Sequence, residues 1–182
     1  MKAAVVFLCF AVSAFAQQKV RLGQTPPGLR FAAACGPQTT NFKVKLDDSQ
    51  HGPLIPQSGM AQVYFINDAG IRFGPPAGGV KYGVDGSWAG AGHGDSWFAF
   101  SVAPGEHHLC ATLQSSFAAQ VAQVAQRVEL AHFAAEAGKS YYFRTRLVLS
   151  DSVELLEFVP IDSDQGEYLV STFPMATAKP KK

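Results

Sequence analysis

Five histidines, three cysteines and one Gly-Asp-Ser stretch hold most of the chemistry that this 182-residue chain could perform. Ser96, preceded by Gly94-Asp95, would act as a nucleophile only with a histidine base in hydrogen-bond reach, itself oriented by a carboxylate. No histidine follows His132 and no Asp-x-x-His lies downstream of the serine, so Gly94-Asp95-Ser96 reads as a turn leading into a strand. His107-His108 is the only adjacent histidine pair. Successive side chains of a strand point to opposite faces, so these two rings do not readily share a metal. Zinc needs three or four ligands; His51, His93 or Asp95 would have to supply the rest from loops, and no CxxC, HxxxH or HExxH spacing supports it. Gly90-Ala91-Gly92-His93-Gly94 is glycine-rich, but it lacks the G-x-G-x-x-G order and no helix follows to give a phosphate its positive end. No metal, cofactor or catalytic set is called for.

Residues that could bind without reacting are easier to find. Tyr142, Arg144 and Arg146 alternate on one stretch and form an outward row, whose guanidinium forks could grip a carboxylate or a sugar. A solvated strand face has the same appearance. Trp88 and Trp97 flank the glycine-rich loop that carries His93. Core packing accounts for both indoles, and a loop-borne patch of Trp88 and His93 is the other reading.

The composition narrows the setting for these groups. The chain is 47% apolar and 16% charged with a formal charge of +1, which excludes a disordered chain. Nucleic-acid binding of the usual electrostatic kind is excluded too, because no positive excess exists to displace counterions. Met1-Lys2, the apolar run Ala3 to Phe15, and Ala14-Phe15-Ala16 before Gln17 match the three regions of a secretory signal peptide cut after Ala16. The run is too short for a membrane span, which takes about 20 apolar residues. Cleavage removes Lys2 and Cys9, leaving a neutral mature chain with two cysteines, Cys35 and Cys110. In an oxidising compartment an even pair predicts a disulfide. Closing so long a loop is worth about 4–5 kcal/mol on the chain-entropy view.

The elements that position these groups are read from periodicity. Residues 17–40 form an irregular leader with turn-rich Gln24 to Gly28 and Cys35-Gly36-Pro37. Phe42, Val44 and Leu46 alternate with Lys43 and Lys45, as a half-buried strand does. Ala61 to Ile66 is an apolar run suited to a central strand. Val80 to Val84 meets Asp85-Gly86, which predicts a tight hairpin back through Ser87 to Ala89. Ser96–Val102, His107–Leu113, roughly 127–134, Tyr141–Leu149 and Val153–Val159 complete the strands. In the penultimate strand Tyr141, Phe143 and Thr145 face in. Cys110 lies on the face opposite Leu109 and Leu113, so its disulfide lays the leader across the outside of a sheet. Residues 117–125 read as a helical turn or loop. Asp164-Gln165-Gly166-Glu167 resembles a capping box for one short helix, and 173–182 reads as a flexible basic tail. The expected fold is an antiparallel β-sandwich of about eight strands over 41–172, with one short C-terminal helix.

Three hairpin signatures occur in order: Lys81-Tyr82-Gly83-Val84-Asp85-Gly86, Val102-Ala103-Pro104-Gly105-Glu106-His107-His108-Leu109, and Glu136-Ala137-Gly138-Lys139-Ser140-Tyr141-Tyr142-Phe143-Arg144. With Pro160 to Glu167 they resemble the bacterial family called domain of unknown function 2846, whose members are similar to PEGA-type β-sandwich modules of the cell envelope. The resemblance covers about residues 60–172. It implies an extracytoplasmic sandwich and no reaction, so no functional residue is carried over. The expected function is a periplasmic or secreted protein that binds an envelope protein or polysaccharide, or serves as structure, without catalysis. The rival expectation is a small secreted hydrolase or metal-binding protein built on the 90s loop and His107/His108. A third is a subunit that adds an edge strand to its partner.

Overall fold

The alternating strands assemble into two facing sheets, with one helix on the outside. The computed structural model describes residues 35–37, 39–68, 79–114, 128–150 and 153–181. The expected signal peptide, most of the leader and the ambiguous 117–125 lie outside them. The larger sheet holds β1 (Phe42–Asp47), β2 (Ala61–Asn67), β5 (Ser96–Val102), β8 (Ser140–Ser150), β9 (Val153–Ile161) and β10 (Met175–Pro180), in the order β1-β10-β5-β2-β8-β9. The smaller holds β3 (Val80–Val84), β4 (Ser87–Gly92), β6 (Gly105–Leu113) and β7 (Glu129–Ala135), in the order β4-β3-β6-β7. The helix, α1 (Ser163–Thr172), lies between β9 and β10 in the chain. The fold is a β-sandwich, as the strand pattern predicts.

Every residue of β2 is buried, because both of its faces are covered. Ala61, Val63 and Phe65 face the core between the sheets, where Phe65 packs on Tyr82 of the smaller sheet and on Phe98 and Phe158 of its own, at centroid distances of 5.0, 5.1 and 6.1 Å. Tyr64 and Ile66 face the helix layer with Trp97, Tyr142, Leu169 and Val170. Burying Leu169 and Val170 contributes about 1.5–3 kcal/mol each, which a ten-residue helix needs, since isolated helices of that length are marginal. Asp162 caps α1, its carboxylate accepting from the amide of Gln165 at 2.8 Å. The cap therefore sits two residues before the expected box, with Gln165 in the position where the box places Glu or Gln.

Three further expectations are corrected. Residues 173–182 are not a loose tail: Met175–Pro180 is a strand antiparallel to β1 and parallel to β5. Its alanines and proline disfavour strand, and two neighbours supply the pairing. The turns at Pro104-Gly105 and at Ala137-Gly138-Lys139 do not close hairpins; each carries the chain from one sheet to the other. Turn chemistry sets where a chain reverses, not which strand it meets. Two pairs, β2 with β8 and β10 with β5, are parallel, since long crossovers through other elements join them. The Asp85-Gly86 hairpin does form between β3 and β4, with φ of 49° and 83°.

Candidate functional site

The predicted binding row on β8 is split by what packs on it. Tyr142 is buried rather than outward: its ring stacks on Tyr64 at 4.7 Å beneath α1. Sequence periodicity gave its face correctly but could not show that a helix covers that face. Arg144 pairs with Asp68 at 2.9 Å, and Arg146 pairs with Glu157. Burial pushes the Asp68 carboxyl upward; Arg144 opposes this, and the charge of Asp95 adds to it. Both guanidinium groups are thus engaged, and an incoming carboxylate would have to displace one of these partners.

Trp88 and His93 do not form a shared patch with that row. Trp88 lies on the outer face of the smaller sheet, where its indole N–H donates to the carbonyl of Pro37 at 2.8 Å. Lys81 sits over the indole, 4.4 Å from the ring centroid, and its ammonium donates to the carbonyl of Thr40 at 2.8 Å. Cys35 and Cys110 are both fully buried beside Trp88, at disulfide distance, with Cα atoms 5.8 Å apart. The described part of the leader is therefore laid across the outside of this sheet, as the facing of Cys110 predicts.

His93 is exposed, and its amide donates to the Ser96 hydroxyl at 3.2 Å. Ser96 is fully buried, so its oxygen is spent on a turn. Among the described residues no three His, Cys, Asp or Glu side chains gather as a metal site would require. His107 and His108 diverge as adjacent strand residues do: His107 turns to Asp85, while His108 faces His132 across the strand pair at 6.3 Å.

The described surface has a concave feature that residue spacing does not indicate. A cleft of ≈170 Å³ opens where β7, the start of β8, the end of β9 and the first residue of α1 meet. His132, Phe133, Ser140, Tyr141, Tyr142 and Pro160 are among its lining residues. The Tyr142 hydroxyl is pushed up to about 12, chiefly by burial and then by the charges of Tyr64 and Glu167, so it stays a neutral donor. Of the lining side chains, Ser140, Tyr141 and His132 reach solvent, a set suited to a sugar edge or a peptide side chain. The volume is below the roughly 300–1,000 Å³ of pockets that engulf a small molecule. The cleft borders β7 and β9, which are both sheet edges. The signal that could have found it is the pairing of the Ser140-Tyr141-Tyr142 stretch with Pro160-Ile161, visible only once β8 and β9 are in register.

No family model, curated protein or solved structure matches the chain.

Proposed function

We propose that this protein is an exported cell-envelope β-sandwich, related to domain of unknown function 2846, with a binding or structural role and no catalysis. The observation that carries the reading is the buried Cys35–Cys110 pair at disulfide distance, separated by 75 positions in the chain. Such a pair is made and kept in oxidising compartments, and an apparent signal peptide stands ahead of it. The described residues contain no helix long and apolar enough to cross a membrane. For binding, the cleft presents the partly exposed Ser140 and Tyr141 to an envelope protein or polysaccharide. The arginines of β8 hold internal carboxylates, and Ser96 holds a backbone amide, so neither supplies a reactive group.

Cell fractionation, N-terminal sequencing and non-reducing peptide mapping of the native protein test the first part. Export gives a chain beginning at Gln17 with Cys35 and Cys110 in one linked peptide. A cytoplasmic full-length chain with both thiols free overturns it. Co-sedimentation with purified cell-wall polysaccharide and cross-linking in intact envelopes test the second part. Retention that is lost in Tyr141→Ala supports the cleft; equal retention of wild type and variant removes it.

A further inference from the structure

His107 stands where two connections of the sandwich converge. Its Nδ1 is 2.6 Å from Oδ2 of Asp85, in the β3–β4 turn, and its Nε2 is 2.7 Å from the carbonyl oxygen of Ala103, just before β6. A carboxylate and a carbonyl can only accept. A neutral imidazole has one N–H and would turn a lone pair toward one of them, whereas an imidazolium donates to both.

Asp85 is held in place independently of the ring. Its other carboxylate oxygen accepts from the amide of His108 at 2.8 Å, and its own amide donates to the carbonyl of His108 at 2.9 Å. The groups around the imidazole are Asp85 from the turn, Glu106 and His108 from its own strand, and the uncharged ring of Phe133 from β7, 5.8 Å away. The side chain is 12% exposed.

We propose that His107 is a proton-operated latch: charged, it ties the β3–β4 turn to the β5–β6 connection, and on losing its proton it releases the β5–β6 connection. The released end is specified by chemistry. The neutral tautomer that keeps Nδ1–H on the Asp85 carboxylate leaves the Nε2 lone pair facing the Ala103 oxygen, and that contact repels. Burial lowers the affinity of His107 for its proton, but Asp85, the Ala103 carbonyl and Glu106 outweigh it, so the group titrates above its ordinary 6.5. Asp85 answers in the opposite direction: burial raises it, and the His108 amide with the two imidazoles pull it below 3.8. With the folded value raised, the latch is fully present below pH 6.5 and is lost as pH rises through the folded value. Phe133 connects this latch to the cleft, because the same ring that meets His107 packs on Tyr141 at 4.8 Å.

Nitrogen-15 NMR of the full mature chain across pH 5–9 tests this. The expected result is that both ring nitrogens of His107 are protonated at low pH and that the midpoint lies above 6.5. Backbone mobility of residues 103–106 rises through the same midpoint. In Asp85→Asn the midpoint falls by about one unit, and in His107→Gln the mobility of 103–106 no longer depends on pH. Asparagine tolerates the positive φ of position 85, so the first variant keeps the turn. A wild-type midpoint at or below 6.5 overturns the proposal, as does unchanged mobility of 103–106 on either side of the midpoint.

Discussion

Gly166 lies directly on the ring of Tyr142, so closely that a Cβ on the helix residue would occupy the space of the ring atoms. A glycine in the middle of α1 is unfavourable on helix propensity by about 1 kcal/mol relative to alanine. Here the close approach of helix to sheet requires it. Gly166→Ala is therefore expected to destabilise the protein by about 1–3 kcal/mol, the range for overpacked interiors, although alanine is the better helix former. Equilibrium urea unfolding of the variant measures the difference, and a gain in stability would show that α1 sits farther from the sheet.

Cys35→Ser is expected to lower stability by about 2–4 kcal/mol, since the unfolded chain is freed from a long loop. The leader would also lose its anchor beside Trp88, whose N–H bonds the Pro37 carbonyl. Tryptophan emission of the variant should shift to the red, with Trp97→Phe introduced to isolate the Trp88 signal. Emission identical to the disulfide form would mean that the leader stays down without its sulfur link.

The two arginines of β8 should differ when removed. Arg146 is 44% exposed and Arg144 18% exposed in their side chains. Arg146→Ala is expected to leave stability almost unchanged, as loss of an exposed pair does. Arg144→Ala leaves Asp68 half-buried without its partner and is expected to cost about 1–2 kcal/mol, between the exposed and buried limits. Thermal or urea unfolding of both variants side by side checks the order, and equal losses would sink the argument.

Tyr64→Phe removes a hydroxyl that accepts from the Leu54 amide at 2.6 Å and donates to the Leu54 carbonyl at 3.0 Å. Each such bond is worth about 1 kcal/mol net. The loop from Asp48 to Met60 is pinned to β2 through them, so faster amide exchange at Leu54 is the expected signature of the variant. Exchange at Leu54 as slow as in the wild type would show that other contacts hold the loop.

Legibility in the sequence followed range. Alternation places β1, β3 and β5 and the inward row Tyr141, Phe143 and Thr145, and an unbroken apolar run places β2, because side-chain pattern along a strand is local information. Asp85-Gly86 announced its hairpin because the positive φ angles belong to those two residues alone. Tyr142 was misjudged since its cover, α1, is twenty-odd positions away and arrives by tertiary packing. β10 is not legible because MATAKP has a single branched side chain, Thr177, and no apolar alternation, and only its neighbours make it a strand. The bracket of Asp85, His107 and Ala103 was hidden for a related reason. The turn and the histidine are each legible in the sequence, but their meeting depends on the β3–β6 register.

The placement of β10 governs when this molecule can finish folding. In the larger sheet β1 has β10 as its sole hydrogen-bonded neighbour, and β10 also contacts β5. Lys45 of β1 and Thr177 of β10 meet across 132 positions. Strand β1 thus waits for its neighbour until β10 has been made. A nascent chain of this design leaves that side of the sheet open until β10 emerges, and the arrival of β10 then bridges β1 to β5.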